Sequence, residues 1–258
     1  MLIAAAVCPC PPLLVPEVAA GAAPELDPLR AACAEAIAVV AAARPERLIV
    51  VGPAGPAGRG THPQGAGGSF RGFGVDLEVR LGGRAVPDAF PDAVPDTASD
   101  AVPDTASDQR RTLPPSLAVG AWLLEHAGWD GAVPVEGLGV GEPLAAERCK
   151  EVGRELAAGA ERLALLVMAD GSACRTLKAP GYLDERAAAF DAAVARALGS
   201  ADPAALAALD EELAEELKAA GRAPLHVLAG AGEGAALKGE LRYDEAPYGV
   251  GYFVADWS

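Results

Sequence analysis

Three histidines and five cysteines are the side chains of this 258-residue chain best suited to hold a transition metal or to attack an electrophile near neutral pH. Two of the thiols, Cys8 and Cys10, stand one residue apart in CPCPPLLVPE, between a short apolar run and a proline-rich bend. His62 lies in the Gly- and Pro-rich stretch GPAGPAGRGTHPQGAGG, and ADGSACR (169–175) places Asp170, Ser172, Cys174 and Arg175 in a small polar turn. Thiolates combined with an imidazole suit zinc or copper(I) better than the harder ligand sets used for iron(II). Cys10, His62 and Glu245 are the candidate metal ligands, while Asp170, Ser172 and Cys174 are the candidate acid, hydroxyl and thiol of a reactive turn. Arg175, with Lys178 close by, is placed to meet an anionic ligand or solvent. Each has a plainer reading: Cys8 as buried packing, His62 as a loop residue, Asp170 and Ser172 as turn residues that bond nearby backbone. No P-loop, HExxH or GxSxG motif occurs, and the glycines of GAGEG (230–234) do not have dinucleotide-binding spacing and read as a turn.

The elements that must position these groups are visible in the pattern of apolar residues. Residues 2–7 read as a short buried strand stopped by Pro9, Pro11 and Pro12, which cannot donate to a ladder. Leu26, Leu29, Cys33, Ile37 and Val40 recur at helical steps, predicting a helix over 24–43 with Cys33 facing the core. RLIVV (47–51) and LALLVM (163–168) are continuous apolar runs of the kind found in strands buried on both faces. Further strands are expected at 75–81, 132–138 and 225–229 (LHVLA), the last carrying His226 as a core residue. Helices are expected at 116–127, with His126 in the last turn, then at 143–159, 183–198 and 203–220. The run DEELAEELK (210–218) reads as a solvated helix face. Residues 52–74 are too rich in Gly and Pro for a regular element and follow a strand, where open α/β sheets build sites. AVPDTASD at 93–100 repeats unchanged at 101–108, a duplicated insertion within 91–110 with little to bury.

Strands alternating with helices predict a single α/β domain over 1–258, with a central mostly parallel or mixed sheet flanked by helices. Hydrophobic residues make up 51% of the chain and aromatics 5%, so the core is built mainly from Ala, Leu and Val. A formal net charge of -15 makes nucleic acid and anionic membrane poor partners. No apolar run reaches the ~20 residues that span a bilayer. With no secretory leader pattern and an odd number of cysteines, reduced thiols in the cytoplasm are the expectation.

CPPLLVPE resembles the HPPLLIPE-like opening of proteins related to the B subunit of class III extradiol ring-cleavage dioxygenases, a superfamily that includes the Memo-type proteins. RLIVVGPAGP, LLVMADGSACR and EAPYGVGYFVA resemble three further landmarks of that family, in the same order. The resemblance implies the family's fold and, in active members, a non-haem iron(II) held by two histidines and a glutamate with another histidine as acid/base. Here Cys10 stands where the opening histidine would be. Ala54 replaces the histidine of a Ser-Pro-His stretch, and Ala173 replaces that of a Gly-Asp-x-Ser-His turn; Glu245 is the candidate for the carboxylate.

The sequence thus reads as an extradiol-dioxygenase-like protein with an eroded iron site, binding a small molecule or a metal (Zn, Cu or Fe) in a pocket formed by Cys8, Ala54, Ala173 and Arg175. Two alternatives stay open: an active metal-dependent oxygenase on a phenolic substrate with relocated ligands, and a non-catalytic structural or interaction protein. Self-association into a homo-oligomer stays open as well.

Overall fold

Along Leu2–Cys8 successive side chains enter opposite apolar layers, Ala5 and Val7 one and Ala4, Ala6 and Cys8 the other, as the two-residue period of a strand requires. In the computed structural model, which describes residues 1–82, 112–129 and 132–258, this strand (β1) lies inside a seven-stranded mixed sheet. The elements that follow are α1 (Pro16–Ala19), α2 (Asp27–Ala42), β2 (Arg47–Pro53), β3 (Gly60–His62), β4 (Gly67–Ser69), β5 (Glu78–Arg80) and α3 (Pro115–His126). Then come β6 (Val135–Val140), α4 (Ala146–Ala158), β7 (Leu163–Met168), α5 (Ala187–Gly199), α6 (Pro203–Ala207), α7 (Glu211–Glu216), α8 (Arg222–Gly232), β8 (Gly239–Glu245) and β9 (Tyr252–Trp257). The strand order is β3-β6-β2-β7-β1-β9-β8, with β4 and β5 forming a separate hairpin. β6, β2, β7 and β1 run parallel to their neighbours in that series, whereas β3, β9 and β8 are antiparallel.

Helices cover both faces. Leu29, Cys33 and Ile37 of α2 and Leu117, Ala121 and Leu124 of α3 pack with the even side chains of β1 and β7. The opposite layer joins Ile49, Val51, Leu165 and Val167 to α4, α5 and α8. This is the single α/β domain with helix-flanked mixed sheet that the apolar pattern predicts. No helix among the described residues is long and apolar enough to cross a membrane.

Several local expectations are corrected. LHVLA is not a strand: it lies within α8, every residue of which is buried, and a short apolar run carries no period to separate a buried helix from a buried strand. Gly230 therefore serves close packing rather than a turn, since a Cβ there would stand 2.0 Å from the Lys150 carbonyl oxygen of α4. Gly153 of α4 is its counterpart, its Cβ falling 2.0 Å from the Val227 carbonyl oxygen. The helix expected at 203–220 is two helices, because Asp210 turns out of the first and caps the second by accepting from the Leu213 N–H. Residues 52–74 contain β3 and β4, and the strand expected at 75–81 shortens to β5, paired with β4. His126 does lie in the last turn of α3, stacking on Trp122 at 3.9 Å between ring centroids, with Nδ1 2.8 Å from the Trp122 carbonyl oxygen. The octapeptide duplication lies outside the described residues.

Candidate functional site

Four parallel strands end at one edge of the sheet and deliver Cys10, Ala54, Glu142 and Asp170 there. The registers fix this: Cys8 pairs with Met168, Val51 with Val167 and Pro53 with Val140. Pro9, Pro11 and Pro12 take the chain out of the ladder beyond Cys8, so the extension of β7 meets β9 directly, Asp170 bridging to Tyr252. The Cys10 backbone N–H donates to Asp170 Oδ1 at 2.8 Å, a contact between residues 160 apart in sequence.

Burial pushes the Asp170 carboxyl up to about 7, with the Cys10 N–H and thiol drawing it partly back. Asp170 keeps some solvent contact, and water tempers that shift. Burial, then the Asp170 and Glu142 carboxylates, raise the Cys10 thiol well above its usual range. Glu142 is likewise pushed up to about 7 by burial, against the pull of the Ala223 N–H at 3.2 Å and the Arg222 guanidinium at 3.7 Å. Its Oε1 is buried and has no hydrogen-bond partner, although 32% of the side chain remains exposed. Burial, followed by Asp170, raises the Tyr252 phenol. A cleft of about 260 Å³ opens beside this edge, bordered by Glu142, Ala219, Arg222 and Glu211.

The turn after β7 is fastened from below by Asp191 of α5. Asp191 is 1% exposed and accepts from the Ser172 N–H and hydroxyl, each at 2.8 Å, and from Arg175 at 2.9 Å. Ser172 and Arg175 thus bond to one buried carboxylate, while the Cys174 thiol turns to the Leu217 carbonyl oxygen at 3.4 Å and is raised by burial. Of the proposed reactive turn, only Asp170 meets the Cys10 edge through a bond. Ala54 and Ala173 are both 9% exposed, and Cys8 is fully buried.

The three candidate metal ligands are not brought together. His62 sits on β3, fully buried, with Nε2 2.9 Å from the Gly58 carbonyl oxygen and Nδ1 without a partner. Glu245 ends β8 at the opposite margin, exposed and accepting from the Tyr243 hydroxyl at 3.2 Å. Strands spaced ~4.8 Å apart put β3 about 19 Å from β1 and about 29 Å from β8, far beyond any shared coordination sphere. Among the described residues, no group of three or more His, Cys, Asp or Glu side chains is placed to hold a metal ion. A site of two imidazoles and a carboxylate for iron(II) therefore does not fit the residues present, since Cys10, Ala54 and Ala173 offer a thiol and two methyl groups. Glu142, Asp191, Arg222 and Tyr252 carry much of the local chemistry and were not among the expected residues. The signal for Glu142 is its place in LGVGEP, two residues beyond an apolar strand parallel to β2.

No protein-family model matches the sequence, and no curated protein does. Among solved structures, the chain is similar to the crystal structure of the uncharacterized protein JW3007 from Escherichia coli K12. The TM-score is 0.52 at 15% identity, over 99% of this chain and 100% of that one. A likeness at that identity speaks for the α/β fold alone.

Proposed function

We propose that the chain is a class III extradiol dioxygenase-like protein whose iron site is eroded, and that the pocket remaining at the C-terminal edge of the parallel strands binds a small molecule through hydrogen bonds. The observation that carries this reading is the Cys10–Asp170 pair, in which the Asp170 carboxyl accepts from the Cys10 backbone N–H at 2.8 Å at the position where relatives by resemblance present a histidine. Cys10 is held as a thiol, a weak nucleophile and a poor ligand until deprotonated, which favours binding over covalent chemistry. Asp170 titrates near neutrality and so offers a donor when protonated and an acceptor when ionised. A neutral phenol or similar hydroxyl compound meets that pair without adding charge, whereas a catecholate would add negative charge beside Asp170 and Glu142. A soft metal would need further donors beside Cys10 and Asp170, and among the described residues no group of three or more His, Cys, Asp or Glu side chains is placed to hold one.

The test begins with chain purified without added metal. Elemental analysis is expected to find iron, zinc and copper far below one equivalent. Ligand-observed NMR against a panel of phenols and catechols is expected to find binding that weakens above about pH 7, where Asp170 ionises, and that loses this pH dependence in Asp170→Asn. Stoichiometric iron on nitrogen ligands overturns the proposal, as does a panel without any binder.

A further inference from the structure

Tyr252 begins β9 and is only 3% exposed, yet its hydroxyl donates to no group among the described residues. A buried tyrosine hydroxyl ordinarily finds an acceptor. Two less buried tyrosines of the same region do so: Tyr243 donates to Glu245 at 3.2 Å and Tyr248 to Glu25 at 3.0 Å. The sheet fixes where the Tyr252 hydroxyl can act. Tyr252 bridges antiparallel to Asp170, and the Gly171 N–H donates to the Gly251 carbonyl oxygen at 2.7 Å, the pattern of a pair without mutual hydrogen bonds. Side chains directly opposite in this way stand on one face, with Cβ atoms about 4.5–5.5 Å apart. Tyr252 therefore shares a face with the Asp170 carboxyl that accepts the Cys10 N–H. Burial, then the Asp170 and Cys10 charges, raise the phenol, so it remains a neutral donor through the physiological range.

We infer that Tyr252 determines the specificity of the pocket: its hydroxyl donates to an uncharged oxygen acceptor on the ligand, so the site selects hydroxylated aryl compounds that also carry a ketone, aldehyde or amide carbonyl. The inference rests on the small-molecule reading above and names the ligand class that reading leaves open. The ligand hydroxyl meets Asp170, and the carbonyl oxygen supplies the acceptor that the protein does not give Tyr252. A carboxylate in the carbonyl's place would also accept this bond, but it would bring a negative charge to the face that holds Asp170. An alkyl group there would leave the Tyr252 hydroxyl unpaired on a desolvated surface, which is the stronger basis for discrimination.

The test compares the wild-type chain with Tyr252→Phe, which keeps the buried ring and removes the hydroxyl alone. Both are titrated at about pH 6, where Asp170 is protonated, and ligand-observed NMR reads the dissociation constants. The probes are meta- and para-hydroxyacetophenone, each matched with the ethylphenol of the same substitution, which has its shape without the carbonyl. The wild type is expected to bind at least one hydroxyacetophenone about 5-fold more tightly than its ethyl counterpart, the worth of one hydrogen bond. Tyr252→Phe is expected to bind that pair equally, with its affinity for the ethylphenol unchanged. No preference in the wild type, a preference that survives in Tyr252→Phe, or an equal loss of both compounds in the variant overturns the role of Tyr252 and leaves the pocket reading standing. Failure of all four compounds to bind the wild type also overturns the inference, whereas the pocket reading falls only with the wider panel of phenols and catechols.

Discussion

Replacing His226 with leucine removes a titratable group from the middle of α8, where the imidazole is fully buried and neither ring nitrogen has a hydrogen-bond partner in good geometry. Burial lowers its pKa from 6.5 to about 4; Arg222 and Lys150 push the same way, and Glu211 and a weak approach of the Leu206 backbone push back. The unfolded chain takes up this proton near pH 6.5 and the folded chain only near 4. Stability that His226 leaves intact above about pH 6.5 is therefore lost as pH falls toward 4, by at most about 3 kcal/mol at ~1.4 kcal/mol per pH unit. Asp170 and Glu142, raised to about 7, act in the opposite sense, because the fold binds their protons before the unfolded chain does. The acid profile of the wild type mixes these contributions; the difference between the two proteins isolates His226. Urea unfolding of both proteins, at steps from about pH 7.5 to about 4.5, measures that difference. His226→Leu is expected to match or exceed the wild type at the upper end, since leucine leaves no polar atom stranded. Its advantage should grow by about 2–3 kcal/mol at the lower end. A stability difference that does not change with pH would refute the reasoning.

Asp170→Asn should be the more stable protein above about pH 7 and lose that advantage as pH falls to about 4, a change of at most about 4 kcal/mol that solvent contact reduces; the same urea series reads it. Gly153→Ala drives a Cβ against the Val227 carbonyl oxygen where α4 crosses α8, so thermal unfolding should show a loss of about 3 kcal/mol, or roughly 10 °C in Tm. Asp191→Ala strands the Ser172 N–H and hydroxyl and the Arg175 guanidinium; a loss of about 3–5 kcal/mol in urea is expected, and a loss below about 1 kcal/mol would mean the turn does not depend on that carboxylate.

What was legible in the sequence followed from local pattern. β1, β2 and β7 announce themselves as apolar runs closed by Pro, Gly or a polar turn, and Cys33 as core follows from its helical spacing. The same rule misleads at LHVLA, where five residues cannot display a helical period and the strand-like composition competes with the neighbouring Gly and Ala. The site was legible as an edge but not as a set of contacts. That Cys10 and Asp170 lie after parallel strands can be inferred, yet their bond depends on β1 leaving the sheet so that β7 pairs with β9, which no short window encodes. His62 failed as a ligand for a topological reason: β3 folds back antiparallel on β6, a neighbour unknowable from the Gly-rich stretch that contains it. Cys8 and Cys33 were each read as buried, and both are, one at the end of β1 and the other on the core side of α2.

Under the proposed reading, a thiol and methyl groups in place of imidazoles at this edge change more than the ligand count. In a site that holds a dication, nearby carboxyls are kept ionised and the thiol is drawn toward thiolate, because the ion is the largest local charge. At the edge described here, Arg222 is the cation that meets Glu142, 3.7 Å away, and Arg222 is also held by the Leu144 carbonyl oxygen and Glu211. Desolvation then dominates: Asp170 and Glu142 rise to about 7, and Cys10 and Tyr252 rise as well. These groups all move toward their neutral forms, so below about pH 7 the edge presents hydroxyl, thiol and carboxylic acid donors beside the Arg222 cation. Such a surface discriminates by hydrogen bonding and by proton uptake, and ligand binding at it should be linked to pH around neutrality. Calorimetric titration of a phenolic binder in two buffers of different ionisation enthalpy would read that linkage directly. Proton uptake on binding near pH 7 that disappears in Asp170→Asn is expected, and proton release, or the same proton count in both proteins, would assign the linkage elsewhere.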